Sequence, residues 1–469
     1  MARLVFVQDL RYEIPAVMAL SAALRQAGHE PWVVFGGGRG AARRVARARP
    51  DVVGLTLMTY QLPWARELVR ALRAAGVRAP ILAGGIHPTL KPETLGTLGL
   101  DAVLRGEGDA ALPEAVEALA AGREPTGVAG FCVPGGTGPI RPLLADLDAL
   151  PFLDRSPYDH DPFLRRIGVR VAVASRGCPF RCAFCANPHV KALHPRGTQY
   201  HRTQSVERTL DEVEALIGSH APNIVRFMDD IFGVDPDWLA RFLAGYRGRN
   251  LRTPFQFNTH ADVLPHSLIP ELKRTGCVSV SVGLESGDEM LRTQVLGKRI
   301  PDERFRSLAA ACRAHGLAFN LNTLYGLPGE TLQAALATVA LTAELRPNRV
   351  LTDILKFYPG LQITERAIAE GRLAPEDIAR LGESAFKTRR SLLRQPEIRA
   401  VENVHKLSHL GASVPALLPA IRRLARLPPN PLFDALFYGS AFFEYFRGDY
   451  QTGPLETALR LILCARAAF

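Results

Sequence analysis

The chain has 469 residues, of which 47% are hydrophobic and 22% charged. That is ordinary globular composition and room for two or three domains, so a disordered, collagen-like or coiled-coil architecture is excluded. The formal charge of +11 would permit nucleic-acid contact, but the clustered basic patch of a nucleic-acid binder is missing, and nucleic acid is not an expected partner.

Residues 1–130 alternate short apolar runs, at 4–7, 31–35, 52–56, 80–85 and 101–106, with longer helix-like segments around 16–27 and 64–75. Such runs read as buried parallel strands with crossover helices, a doubly wound Rossmann-like sheet whose ligands lie beyond the strand carboxyl ends. Those ends are polar or glycine-rich: Gln8-Asp9, Thr56 to Thr59, Gly84 to Thr89, and Gly106 to Asp109. Residues 131–165 are rich in Pro, Gly and Asp and read as a linker. Residues 166–360 resume the alternation with six strand–helix units, which predicts a full or partial parallel barrel with its chemistry at the strand carboxyl ends. Residues 361–469 read as a helical C-terminal domain or lid. No run of 18 apolar residues is long enough to span a membrane. The opening MARLVFVQDLRYE lacks the apolar core of a signal peptide, so a cytoplasmic location is expected.

Seven cysteines in such a chain do not suggest a disulfide framework. Cys132, Cys277, Cys312 and Cys464 are scattered and read as buried small hydrophobes. Cys178, Cys182 and Cys185 lie within eight residues, spaced C-x-x-x-C-x-x-C. Three thiolates on one loop can hold three irons of a four-iron cluster and leave the fourth iron open. Zinc would need a fourth ligand, which His189 or His194 could supply.

This spacing, with Phe184 before the last cysteine and the strand–helix rhythm around it, resembles the radical S-adenosylmethionine (SAM) enzymes. Gly283-Leu284-Glu285-Ser286-Gly287 with Lys298, Tyr325 to Thr331 (YGLPGET) and Phe357-Tyr358-Pro359-Gly360 resemble further motifs of that superfamily. Gly84 to Thr89 and Gly106 to Asp109 resemble the cobalamin-binding domain fused to one of its branches. The resemblance covers about residues 1–360. It implies a partial (β/α)6 radical SAM barrel behind a cobalamin-binding sheet, with a 4Fe-4S cluster, SAM and cobalamin as cofactors and an external electron donor such as flavodoxin or ferredoxin.

Under that resemblance Cys178, Cys182 and Cys185 are the iron ligands, and Phe184 lies along the adenine or anchors the loop as a core aromatic. Glu285, beside Ser286, accepts hydrogen bonds from the ribose or ammonium of SAM, or serves as an acid at a helix start. Asn320 and Asn322 share one side of their strand, and Asn322 is assigned to the cofactor if that side faces inward. Asp229 and Asp230 are the candidate catalytic pair, holding substrate or a proton, unless one caps the next helix. Arg176 pairs with an anionic group or forms a structural ion pair. In the sheet, Thr56, Thr59, Gly84 and Gly85 would hold the nucleotide tail of cobalamin, with His87, Glu107 and Gly108 at its lips. The loop after the first strand lacks the D-x-H-x-x-G histidine, so no imidazole from it reaches cobalt.

Residues 433–450 hold eight aromatics, and residues 386–426 hold nine Lys/Arg against two Glu. That combination suits a lid, or a peripheral membrane or lipid-substrate contact. The expected activity is methylation of an unactivated carbon of a small-molecule or lipid intermediate. The alternatives are a non-methylating cyclase or rearrangement enzyme, and a catalytically inactive cobalamin-responsive binding protein.

Overall fold

The computed structural model describes residues 1–166, 168–378, 381 and 390–448. Its strands are β1 (Arg3–Gln8), β2 (Glu30–Phe35), β3 (Val52–Thr56), β4 (Ile81–Gly84), β5 (Ala102–Leu104), β6 (Phe131–Val133), β7 (Gly136–Thr137), β8 (Val169–Ala172), β9 (Ser175–Arg176), β10 (Arg202–Thr203), β11 (Ile224–Phe227), β12 (Phe255–Thr259), β13 (Cys277–Glu285), β14 (Ala318–Tyr325) and β15 (Arg349–Ile354).

Among the described residues the first seven form one sheet in the order β2-β1-β3-β4-β5-β6-β7. The five strands expected from the apolar runs are parallel. Helices cover both faces, giving one core around Leu4, Phe6 and Val33 and another around Val5, Val53 and Ile81. This two-sided burial is why the strands read as unbroken apolar runs. The stretch taken for a linker does more than connect. Its β6 and β7 add an antiparallel edge to the sheet, and Tyr158 is buried, donating to Gln8 Oε1 at 2.6 Å.

The second sheet is parallel, ordered β15-β14-β13-β12-β11-β8, a curled partial barrel with its strands in chain order. One face packs on helices through Phe227, Phe257, Val280 and Leu321. Two short strands, β9 and β10, pair antiparallel between the sheets. A buried ion pair, Arg170 to Glu13 at 2.9 Å, joins the two modules.

The helix Ile398–Ser413 packs on β15 and on the helix Leu332–Leu345. It shares a core with Tyr325, Val339 and Ile354, so this helix extends the outer helical layer, while Leu361, Ile363, Ala367 and Leu393 pack with Ala183 of the three-cysteine loop. Phe433 and Phe437 are buried, Phe437 against His405 at 4.7 Å between ring centroids. These two aromatics pack inward, whereas Leu432 and Tyr438 are exposed. The aromatic side chains beyond residue 440 lie outside the described residues. No described helix is long and apolar enough to cross a membrane.

Candidate active site

The three-cysteine loop starts where β9 ends. Gly177 has φ +78°, and a Cβ there would sit 2.4 Å from Tyr200 O, so only glycine lets the chain turn this close to its neighbour. The loop is pinned by Ala183 N to Leu296 O (2.9 Å) and Ile363 N to Ala183 O (3.2 Å). Phe184 is half-buried in an apolar cluster that includes Leu324, Leu327, Phe357 and Leu361. It therefore anchors the loop, whatever it also meets on its open side.

Cys178, Cys182 and Cys185 are half-buried and not in disulfides. Burial pushes the Cys178 thiol up to about 12 and the Cys182 thiol to about 11, and raises Cys185. Thiols this desolvated become thiolates when a cation replaces the proton, which is what iron ligation does. The donor set fits a cluster. Asn187 Nδ2 points at Cys185 Sγ (3.6 Å) and donates to Asp230 Oδ2 (3.0 Å), while its Oδ1 accepts from Tyr200 OH (2.8 Å). His189, a candidate zinc ligand, already accepts Gln362 N at 2.9 Å through Nε2.

The two acids of the candidate catalytic pair divide. Asp229 is buried and takes both Ala174 N (3.1 and 3.2 Å) and the Ser175 hydroxyl (2.5 Å). It staples the end of β8 to the start of the loop, and both its oxygens are engaged there. Asp230 is exposed at the strand end. Neither caps the following helix, Pro236–Gly248, because Asp235 does.

At the end of β13 the backbone of Glu285 is left-handed, φ +64°, where the β13–β14 register shifts. That conformation costs a non-glycine residue about 1 kcal/mol and is concentrated at functional sites. It folds the carboxylate back over Gly283, whose missing Cβ would lie 2.0 Å from Glu285 Oε1. Lys298 Nζ meets Glu285 Oε1 at 3.1 Å and Gly283 O at 2.5 Å. Ser286 does not join this group. Its side chain is fully buried and its Oγ accepts Asp288 N at 3.2 Å, opening the next turn. Arg292, fully buried, binds Ser286 O and Ile300 O and braces the same turn.

Asn320 and Asn322 stand in register with Ser281 and Gly283, on the face opposite the helix-packed Phe319 and Leu321. They therefore point inward. The Oδ1 of each is buried without a partner, an expense of about 1–3 kcal/mol that a ligand donor would remove. Glu285, Lys298 and these two amides form a polar patch suited to the ammonium, carboxylate and hydroxyl groups of SAM. The YGLPGET loop is a brace: Glu330 is buried and accepts Gly326 N and Leu327 N (2.6 and 3.0 Å), and Thr331 caps the helix Leu332–Leu345.

Between the segments flanking the three-cysteine loop and the carboxyl ends of β3, β4 and β5 lies a cavity of about 340 Å³. One wall is Thr56, Met58, Tyr60 and Gly85; the other is Arg176, Gly177, His194 and Tyr200. Gly85 has φ +99°, and a Cβ would lie 2.9 Å from the Leu57 backbone, so this wall is as open as a backbone can make it. His194 is buried with Nε2 lacking a partner. A wall of bare backbone, aromatic rings and an unpaired imidazole nitrogen fits a large, amide-bearing cofactor.

Several expected contacts are absent from that wall. Thr59 and His87 are buried beside the cavity, joined to each other at 2.9 Å (Oγ1 to Nδ1). Burial pushes His87 down to about 4, so it is neutral. Gly84 and Gly108 do not line the cavity either; a Cβ on Gly108 would lie 2.7 Å from Leu104 Cδ2 and 2.9 Å from Leu20 Cδ2, so Gly108 serves packing. Glu107 lines the cavity, but its oxygens are taken by Arg202 (2.6 and 3.1 Å) and Leu144 N (3.1 Å). Tyr60, Asn187 and Tyr200 had no local signature, because chain folding alone brings them here, and His194 was read only as a candidate zinc ligand.

A doubly wound sheet facing a three-cysteine barrel loop across one cavity defines a two-cofactor enzyme. The B12 binding domain family matches residues 12–116 and the Radical SAM superfamily matches residues 173–342. The chain therefore carries a B12 binding domain followed by a Radical SAM domain. Cobalamin belongs to the first domain, and SAM with its four-iron cluster to the second. An uncharacterized methyltransferase of Pyrococcus horikoshii is 27% identical over 345 residues, 71% of this chain and 72% of the relative. The anaerobic magnesium-protoporphyrin IX monomethyl ester cyclase of Rubrivivax gelatinosus is 24% identical over 322 residues, 65% of this chain and 56% of the relative, so the chain spans little more than half of that enzyme. The methyltransferase TsrM of Kitasatospora setae, solved with tryptophan and a SAM analog, superposes with a TM-score of 0.70 at 18% identity, covering 98% of this chain and 96% of that one. At that identity the likeness is one of fold.

Proposed function

We propose that the chain transfers a methyl group to an unactivated carbon of a small-molecule substrate. The observation that carries this reading is the shared cavity, whose walls come from both cofactor modules. When bound, the cluster and SAM supply a carbon radical able to abstract hydrogen, and cobalamin supplies the methyl carrier.

The residues divide the remaining tasks. Cys178, Cys182 and Cys185 hold iron, and Asn187 steadies Cys185. Glu285, oriented by Lys298, and the inward amides of Asn320 and Asn322 bind the polar groups of SAM. Thr56 and Gly85 receive cobalamin. Phe184 and its apolar cluster exclude water from one side of the iron site. Asp230, fixed by Asn187, is the acid left available to substrate. The free thiols suit a reducing, cytoplasmic setting, with a flavodoxin or ferredoxin as electron donor.

The test is anaerobic incubation with cobalamin, reductant, methyl-deuterated SAM and a small-molecule extract. A product carrying one trideuteromethyl group supports methyl transfer. Similarity to the Rubrivivax cyclase favours a second reading, in which a ring closes and no label enters product.

A further inference from the structure

We propose that Arg176 and Arg202, gripping Asp109 and Glu107, form a clamp that sets the spacing between the cobalamin site and the iron–sulfur loop. The two arginines are paired across β9 and β10. Arg176 reaches Asp109 through both terminal nitrogens, at 2.7 and 2.9 Å, and approaches Glu107 at 3.6 Å. Arg202 takes both oxygens of Glu107, at 2.6 and 3.1 Å, and Leu144 O at 2.6 Å. The four side chains are 5–24% exposed, so water screens them poorly.

What the clamp joins gives it its meaning. Glu107 and Asp109 follow β5 on the cobalamin-binding sheet, and their neighbour Gly106 lines the cavity. Arg176 stands two residues before Cys178, and the intervening Gly177 is wedged against Tyr200. A shift of the Asp109 loop therefore passes to the first cysteine with little slack. Bidentate arginine–carboxylate pairs fix orientation as well as distance, which a lysine could not do. Asp109 itself lies off the cavity wall, so it is a positioning residue. The inference depends on both cofactors being bound, and not on which carbon is methylated. Its failure is thus separable from failure of the methyl-transfer reading.

The experiment is electron paramagnetic resonance of the holoenzyme with cobalt(II) and the reduced cluster both present. Their dipolar coupling varies as the inverse cube of their separation. In Asp109→Ala, whose side chain lies off the cavity wall, we expect cobalamin and iron to stay bound, and there and in Arg176→Gln we expect the single wild-type coupling to be lost to a broad distribution. Asp109→Glu should recover a narrow coupling, and the double variant should be no broader than either single one, because the two residues act as one unit. A wild-type coupling in both single variants overturns the proposal. Loss of cobalamin or iron from both also overturns it, since the clamp would then hold a cofactor and not space two.

Discussion

Ser175 donates its hydroxyl to Asp229 Oδ1 at 2.5 Å, across the step from the first barrel strand to the iron-binding loop. Burial pushes the Asp229 carboxyl from 3.8 up to about 7. The folded chain therefore binds this proton more tightly than the unfolded chain does, and stability falls as pH rises through that window. The loss is on the order of 4 kcal/mol at full ionisation. Asp229→Asn should flatten the dependence of Tm on pH between about 4 and 7, the span between the two pKa values. Parallel Tm profiles for the two proteins would show that Asp229 does not titrate this way.

Lys298 should matter through Glu285. Both are buried, and Lys298→Met leaves the carboxylate without its cation. Breaking such a pair from one side costs about 3 kcal/mol. We expect a lower urea midpoint and weaker SAM binding by calorimetry, with Glu285→Gln in the same background restoring the midpoint but not the SAM affinity. Recovery of both would leave Glu285 with no part in SAM binding.

How far these sites could be read from the chain depended on their range. The cysteine loop was legible because its ligands lie within eight residues, and β1 and β3 because strands buried on both faces are unbroken apolar runs. Ser286 and Thr59 misled because side-chain direction past a strand end is set by the turn. The left-handed φ of +64° at Glu285 rotates Ser286 into the core. Asp229 looked like half of an acid pair, but only the tertiary fold brings Ala174 and Ser175 over it. β6 escaped notice because three residues, Phe131–Val133, are too few to show a period among glycines. Arg292 carried no signal in the sequence and is fully buried.

Changing Cys178, Cys182 and Cys185 together to Ala should remove the brown chromophore and all SAM cleavage, because these thiolates are the cluster's only protein attachment. Iron analysis checks this, and iron retained near the wild-type level would mean the ligands are misassigned.

The wild-type chain should carry about four irons, one cubane. Cys132, Cys277 and Cys312 are each buried in hydrophobic core, away from the loop; Cys464 lies outside the described residues. About eight irons per chain would require a second cluster and contradict this assignment.

Bound cobalt(II) should show no nitrogen splitting that depends on His87, whose Nδ1 is committed to Thr59 and whose ring stays off the cavity wall. Electron paramagnetic resonance of His87→Ala checks it: a nitrogen splitting present in wild type and lost in the variant would make His87 a cobalt ligand.

The central claim is that two cofactors facing one cavity serve a methyl transfer. It is tested most directly by anaerobic turnover with SAM, cobalamin, reductant and a substrate that yields product, scoring 5′-deoxyadenosine and S-adenosylhomocysteine together. Methyl transfer with hydrogen abstraction consumes one SAM for each, so the two should accumulate in near-equal amounts. Deoxyadenosine rising with product while S-adenosylhomocysteine stays at background would contradict the account and assign the chain to ring closure or rearrangement.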